Sequence, residues 1–157
     1  MKKFEIKDLK PDRVAQAYPL IQAARPRVSL DAWRHYASTF LTGGQTARCG
    51  ILTVVDVQDC IVGLCAYRIE NDLAHGRVLV VDHIVALDLF RRAAVIAELL
   101  SGVEQLARSA GCSAIHTTVA NRPPGEPAVF DGMLAELDSR GHRVEGLRLC
   151  RVLAAAE

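Results

Sequence analysis

Apolar and charged residues alternate from Phe4 to Leu9, with Phe4 and Ile6 set against Glu5 and Lys7, which is the period of a short strand. Pro11-Asp12 ends that strand and offers Asp12 as the cap of a helix running from Arg13 to Ala24, where Val14, Ala17, Tyr18 and Ile21 recur at helical spacing. Pro19 lacks an amide proton and must kink or divide this helix, and Arg25-Pro26-Arg27 breaks it. Ser29 then caps a second helix that places Trp33, Tyr36, Ala37 and Phe40 on one face. A turn at Thr42 to Gln45 leads into two β-rich runs, Cys49 to Val57 and Cys60 to Ile69, which form a hairpin around Asp56 to Asp59. After a turn at Asn71 to Gly76, the run Arg77 to Ala86 carries Val78-Leu79-Val80-Val81, continuous enough for a central strand.

The period then changes. From Ala93 to Ala110 the residues Ile96, Ala97, Leu99, Leu100, Val103, Leu106 and Ala107 make a broad apolar stripe, closed by Gly111. The next strand, Ala114 to Val119, is joined to the preceding one through this 18-residue helix, so the two strands are expected to be parallel. A Pro- and Gly-rich loop covers Asn121 to Pro127, a further amphipathic helix Ala128 to Ser139, and a closing strand Leu147 to Leu153. The element order is β-α-α-β-β-β-α-β-α-β, an α/β (α+β) chain with a mixed, mostly antiparallel central sheet and about four flanking helices.

The 157 residues, 50% of them hydrophobic, describe one globular domain over residues 1–157, large enough to fold without disulfides or a structural metal. A net charge of +1 excludes a disordered tail and a dedicated nucleic-acid binder. The charge is unevenly distributed, at +5 over residues 1–48, −4 over 49–90 and zero over 91–157. A solvated basic face explains the first block better than a binding surface does. Cys49, Cys60, Cys65, Cys112 and Cys150 are scattered among apolar residues and read as buried thiols in a reducing compartment. The five histidines lack metal-ligand spacing with them or with one another, so no metal is expected. With a charged start and no membrane-length apolar run, the chain is expected to be a cytoplasmic protein without membrane or nucleic-acid partners.

Several stretches carry a resemblance: Ala17-Tyr18-Pro19-Leu20-Ile21 with Arg25-Pro26 and Ser29-Leu30-Asp31-Ala32-Trp33, then Gly76 through Val85, then Ala107 through His116. Together with the element order, they resemble the GNAT superfamily of acyl-CoA-dependent N-acyltransferases. The resemblance implies the GNAT fold, acetyl-CoA or a related acyl-CoA as cosubstrate, and transfer of its acetyl group to an amine of a small molecule or protein. A homodimer through the last strand is common in the family. The alternative is a GNAT-fold acyl-CoA-binding or regulatory module with little or no turnover.

A pyrophosphate needs several backbone amides at a helix N-terminus, where the first turn lacks acceptors. That place is Arg91-Arg92-Ala93-Ala94-Val95-Ile96-Ala97. The family's pattern there is Gln or Arg, two residues, Gly, one residue, then Gly or Ala. One register puts Ala94 and Ile96 where glycines are expected, the other Val95 and Ala97, and an Ile at the closest approach would narrow the phosphate pocket. The less favoured alternative is that Arg91 and Arg92 merely cap a surface loop. By resemblance, Ile84, Val85 and Ala86 offer backbone groups to the pantetheine arm at a splayed strand. Asn121 sits either against the cofactor or simply in a turn before Arg122-Pro123-Pro124.

Acyl transfer to an amine needs a base for the ammonium proton and an acid for the leaving thiolate. Asp82 and His83 are the titratable residues of the central strand, and regular alternation would let only one of them face the site. The family's thiolate acid, a Tyr on the last helix, is replaced by Leu137. Cys112 and Cys150 are set among apolar residues and are not expected to act as nucleophiles.

Overall fold

The computed structural model describes residues 3–42, 48–87, 91–119 and 132–154. Five strands, β1 (Phe4–Asp8), β2 (Cys49–Asp56), β3 (Ile61–Asp72), β4 (Gly76–Ala86) and β5 (Ala114–Thr117), lie in one sheet in sequential order. The first four pair antiparallel, and β5 runs parallel to β4. The parallel pair follows from the crossover through α3 (Arg92–Ser109), as its length and stripe predict.

The sheet is covered on both faces. On one side α1 (Tyr18–Ala24) and α2 (Leu30–Leu41) pack Leu20, Ile21, Trp33 and Ala37 against Ile51, Leu64, Ala66 and Val85. On the other, α3 and α4 (Met133–Ser139) pack Val95, Leu99, Val103 and Leu137 against Val54, Cys65, Leu79 and Val81. Alternate residues of β2 and β3 thus feed opposite cores, which is why these strands read as nearly continuous apolar runs.

Pro19 divides the first helix as expected. Residues Pro11–Arg13 and Ala15–Ala17 form single 3-10 turns, and α1 begins only at Tyr18, so the proline sits in its first turn where no amide is needed. The cap of α2 also forms, with the Ala32 amide donating to Ser29 Oγ at 3.1 Å. Trp33 Nε1 donates to the Val14 carbonyl at 2.7 Å in the core and locks α2 onto the N-terminal turns.

Two expectations fail. Residues 142–154 form no strand among the described residues, and Leu147, Leu149, Val152 and Leu153 are exposed instead of facing a core. Of the thiols only Cys65 is buried, while Cys60 and Cys150 are exposed. Cys60 lies in the polar β2–β3 turn and Cys150 on the unpaired tail, so apolar neighbours in sequence did not place either of them in a core.

Candidate functional site

β4 is paired on both sides as far as Val81, which aligns with Thr117 of β5 and whose carbonyl accepts from the Thr118 amide at 2.9 Å. Beyond it, residues 82–86 pair only with β3 among the described residues. Among the described residues, no strand therefore pairs with the edge of Ile84, Val85 and Ala86 that would continue the β5 ladder. Their side chains are buried, so what they offer there is backbone.

The strand also slips at this point. Leu64 pairs with Val85 and Ala66 with Asp82, so His83 and Ile84 together oppose the single residue Cys65. His83 takes φ of +55°, a left-handed conformation rare outside glycine and better tolerated by His, Asn and Asp than by branched residues. This bulge overturns the expectation that Asp82 and His83 must face opposite ways. The Asp82 carboxylate meets Arg68, which lies two residues beyond Ala66 on the face covered by α1 and α2, and the His83 ring meets Tyr36 of α2 edge-on at 5.3 Å between centroids. Both groups serve one side.

Their protonation states are pushed in a consistent direction. Burial raises the Asp82 carboxyl, but the Arg68 guanidinium at 2.5 Å, the Thr118 hydroxyl and the charge of His83 outweigh it and hold the group below its ordinary value. For His83, desolvation lowers the pKa and Asp82 raises it, while the cations Arg25, Arg148 and Arg68 also lower it, leaving the imidazole below its usual range. Near neutral pH the pair is a carboxylate tied to an arginine beside an uncharged imidazole with an open face. Tyr36 is pushed up to about 12 by burial and by Asp82, against the opposing charge of Arg68, so it is a poor proton donor. Arg68, Thr118 and Tyr36 went unread in the sequence: Tyr36 belongs to an ordinary apolar stripe, and the other two reach Asp82 only through strand register.

α3 starts just past that edge of β4. The Val95 amide donates to the Arg91 carbonyl at 2.9 Å, and the amides of Ala93 and Ala94 lie in the first turn, where an α-helix supplies no acceptor of its own. Ala93 and Ala94 are exposed and small, Ala97 is half-buried, and Val95 and Ile96 point into the core. Ile96 is therefore packed beneath the turn and away from any anion above it. Val95 fixes the helix closely against the sheet, since a Cβ added at Gly63 would stand 2.7 Å from Val95 Cγ1. The Arg91 guanidinium lies over the Phe4 ring, 5.1 Å from its centroid, on β1. Asn121 lies outside the described residues. Leu137 is buried in the core beneath α3, where it presents no polar group.

A strand edge with no partner strand among the described residues, leading to a helix N-terminus, fits a ligand with an amide-containing arm and a phosphate, and the carboxylate and imidazole beside it can manage a proton. Comparison of the sequence with curated proteins gives no match. Among solved structures, the chain is similar in fold to an aminoglycoside acetyltransferase, AAC(6')-Iy, solved with a bisubstrate analogue of CoA (15% identity, TM-score 0.74, covering 98% of this chain and 100% of that one). It is similar also to glucosamine-6-phosphate N-acetyltransferase from Arabidopsis thaliana (11%, 0.71, 98% and 100%) and to a transcriptional regulator from Bacillus halodurans (14%, 0.75, 94% and 99%). The model of the acetyltransferase (GNAT) family matches residues 14–125, most of the chain, and with that match the chain belongs to the GNAT acetyltransferase family.

Proposed function

We propose that this protein transfers the acetyl group of acetyl-CoA to a primary amine of a small molecule, with one domain over residues 1–157 carrying the whole site. The observation that carries this reading is the loss of β4–β5 pairing after Val81, beside a bulge that turns Asp82 and His83 to one side. The pantetheine amides would pair with the backbone of Ile84, Val85 and Ala86, and the pyrophosphate would take amides of the first turn of α3, those of Ala93 and Ala94. His83 serves as the base: it is neutral and open, whereas Asp82 is committed to Arg68 and is the weaker base. Asp82 in turn stabilises the imidazolium once it forms. The neutral amine attacks the thioester carbonyl, the C–S bond breaks as the adduct collapses, and the proton lost from nitrogen to His83 is returned from the imidazolium through water to the departing thiolate, since Leu137 offers none. Free thiols at all five cysteines support a reducing, cytoplasmic setting.

A second reading, a GNAT-fold module that binds acyl-CoA without turnover, is favoured by Leu137. Calorimetry with acetyl-CoA, followed by thiol release on a panel of amines, separates the two. Binding with amine-dependent release supports the enzyme, and binding without release across the panel supports the module. No heat at about 1 mM cofactor defeats both.

The tail supports a homodimer as part of the same proposal. Val144, Leu147, Leu149, Val152 and Leu153 are all exposed on a segment without secondary structure, and a second copy is the simplest surface to cover them.

A further inference from the structure

Toward the Gly76 end of β4, away from His83, the fold gathers four metal-ligating side chains that are scattered in sequence. Asp72 ends β3, His75 lies in the β3–β4 turn, His116 is on β5 and Glu145 is on the C-terminal segment. Ligand atoms of Asp72, His75 and His116 all lie within 4.8 Å of one another. His75 Nε2 stands 3.0 and 3.1 Å from the two oxygens of Glu145, and His116 Nε2 is 4.0 Å from one of them. The imidazole rings meet edge to face with centroids 5.5 Å apart.

We propose that Asp72, His75, His116 and Glu145 form a binding site for a divalent transition metal of the zinc class, which clips the C-terminal segment to the sheet. The donor set is two imidazoles and two carboxylates, which suits zinc and its neighbours and gives magnesium or calcium no advantage. Three features show a site already partly organised. One Asp72 oxygen accepts from the amides of Ala74 and His75, both at 2.8 Å, which fixes the carboxylate at the turn. The Ser113 hydroxyl donates to the His75 carbonyl and holds that turn to the start of β5. His116 Nε2 is covered by protein and has no hydrogen-bond partner among the described residues, a cost that a metal bond would remove. Tetrahedral zinc with bonds near 2.0–2.1 Å needs donor atoms about 3.3 Å apart, so the cluster must close by roughly 1–1.5 Å. Turn and tail residues can make that movement.

The site stands apart from the proposed acyl-transfer chemistry, and its test needs no activity. Zinc chloride is titrated calorimetrically into the tag-free full chain carrying Cys60→Ser and Cys150→Ser, so that exposed thiols do not compete. One zinc per chain is expected, with affinity falling about tenfold or more in His75→Ala and in His116→Ala and less in Glu145→Gln. Zinc should also slow proteolysis of the tail, and this protection should be lost in Glu145→Gln. Melting curves of the variants without metal check that they fold. Absence of binding at about 100 µM zinc, or binding that the histidine variants leave unchanged, overturns the proposal. Binding with an unprotected tail overturns the clip.

Discussion

His83 is held in a backbone conformation that β-branched residues scarcely adopt, so its substitutions separate chemistry from folding. His83→Asn tolerates the left-handed backbone and cannot titrate, while His83→Val should lose about 1–3 kcal/mol of stability to the same strain. In the parent, kcat/KM for acetyl transfer should rise with pH along a limb whose apparent pKa lies below the ordinary histidine value of 6.5. His83→Asn should keep the melting temperature, erase that limb and lower kcat by about a hundredfold or more. An unchanged pH profile in His83→Asn would remove the imidazole from the mechanism. Asp82 makes a different prediction, about stability. Its folded-state pKa is depressed, so its contribution is complete above the unfolded carboxylate value and is lost as pH falls through the folded one. Asp82→Asn should therefore cost about 1–2 kcal/mol in urea melts at neutral pH, discounted for the half-exposed Arg68, and progressively less as pH falls below the ordinary carboxylate range. The sequence placed these two residues on the right strand. It could not show that they face the same side, because the bulge is set by how β3 and β4 pair and leaves no mark in either residue's type or spacing.

Elements were legible where one segment decides its own conformation. The stripe from Ile96 to Ala107 specifies α3 by itself, Ser29 specifies the start of α2, and Pro19 specifies where α1 can begin. What could not be read was the direction a turn residue faces inside an element, as Ile96 shows: glycine positions in a pattern made it an obstruction, yet the helix turns its side chain into the core. A charge placed in that first turn tests the proposed pyrophosphate site with opposing signs. Ala94→Glu places a carboxylate at the N-terminus of α3, which should stabilise the helix by about 0.3–1 kcal/mol. The same carboxylate should repel the phosphates of acetyl-CoA and weaken binding by about tenfold or more. A variant that melts higher but binds acetyl-CoA as the parent does would take the pyrophosphate away from α3. Trp33, Ala37 and the Ser29 cap fix α2, and with it Tyr36 against His83, so Ser29→Ala should cost about 1 kcal/mol in thermal melts.

For the whole molecule, the alternating sheet faces and the β4-α3-β5 crossover followed from the pattern of apolar residues. The final segment did not, because a strand-like run needs a neighbouring edge to pair with and nothing in its own residues says which chain supplies it. Leu147 and Leu149 are 89% and 90% exposed, and burying each side chain would yield about 1.5–3 kcal/mol, so a fully solvated tail is an expensive arrangement for the chain to keep. The segment leaves α4 through Gly141, with the His142 amide bonded to the Leu137 carbonyl at 3.0 Å, and Glu145 then brings it beside β5. β5 is paired as a strand only with β4 among the described residues, so its other edge can receive the tail of a second copy. Sedimentation equilibrium should give twice the 17.1 kDa of one chain, and the double variant Leu147→Lys, Leu149→Lys should sediment as a monomer with the same circular dichroism over α1 to α4. If the parent itself sediments at the mass of one chain, these apolar residues must be covered in some other way and the dimer reading fails.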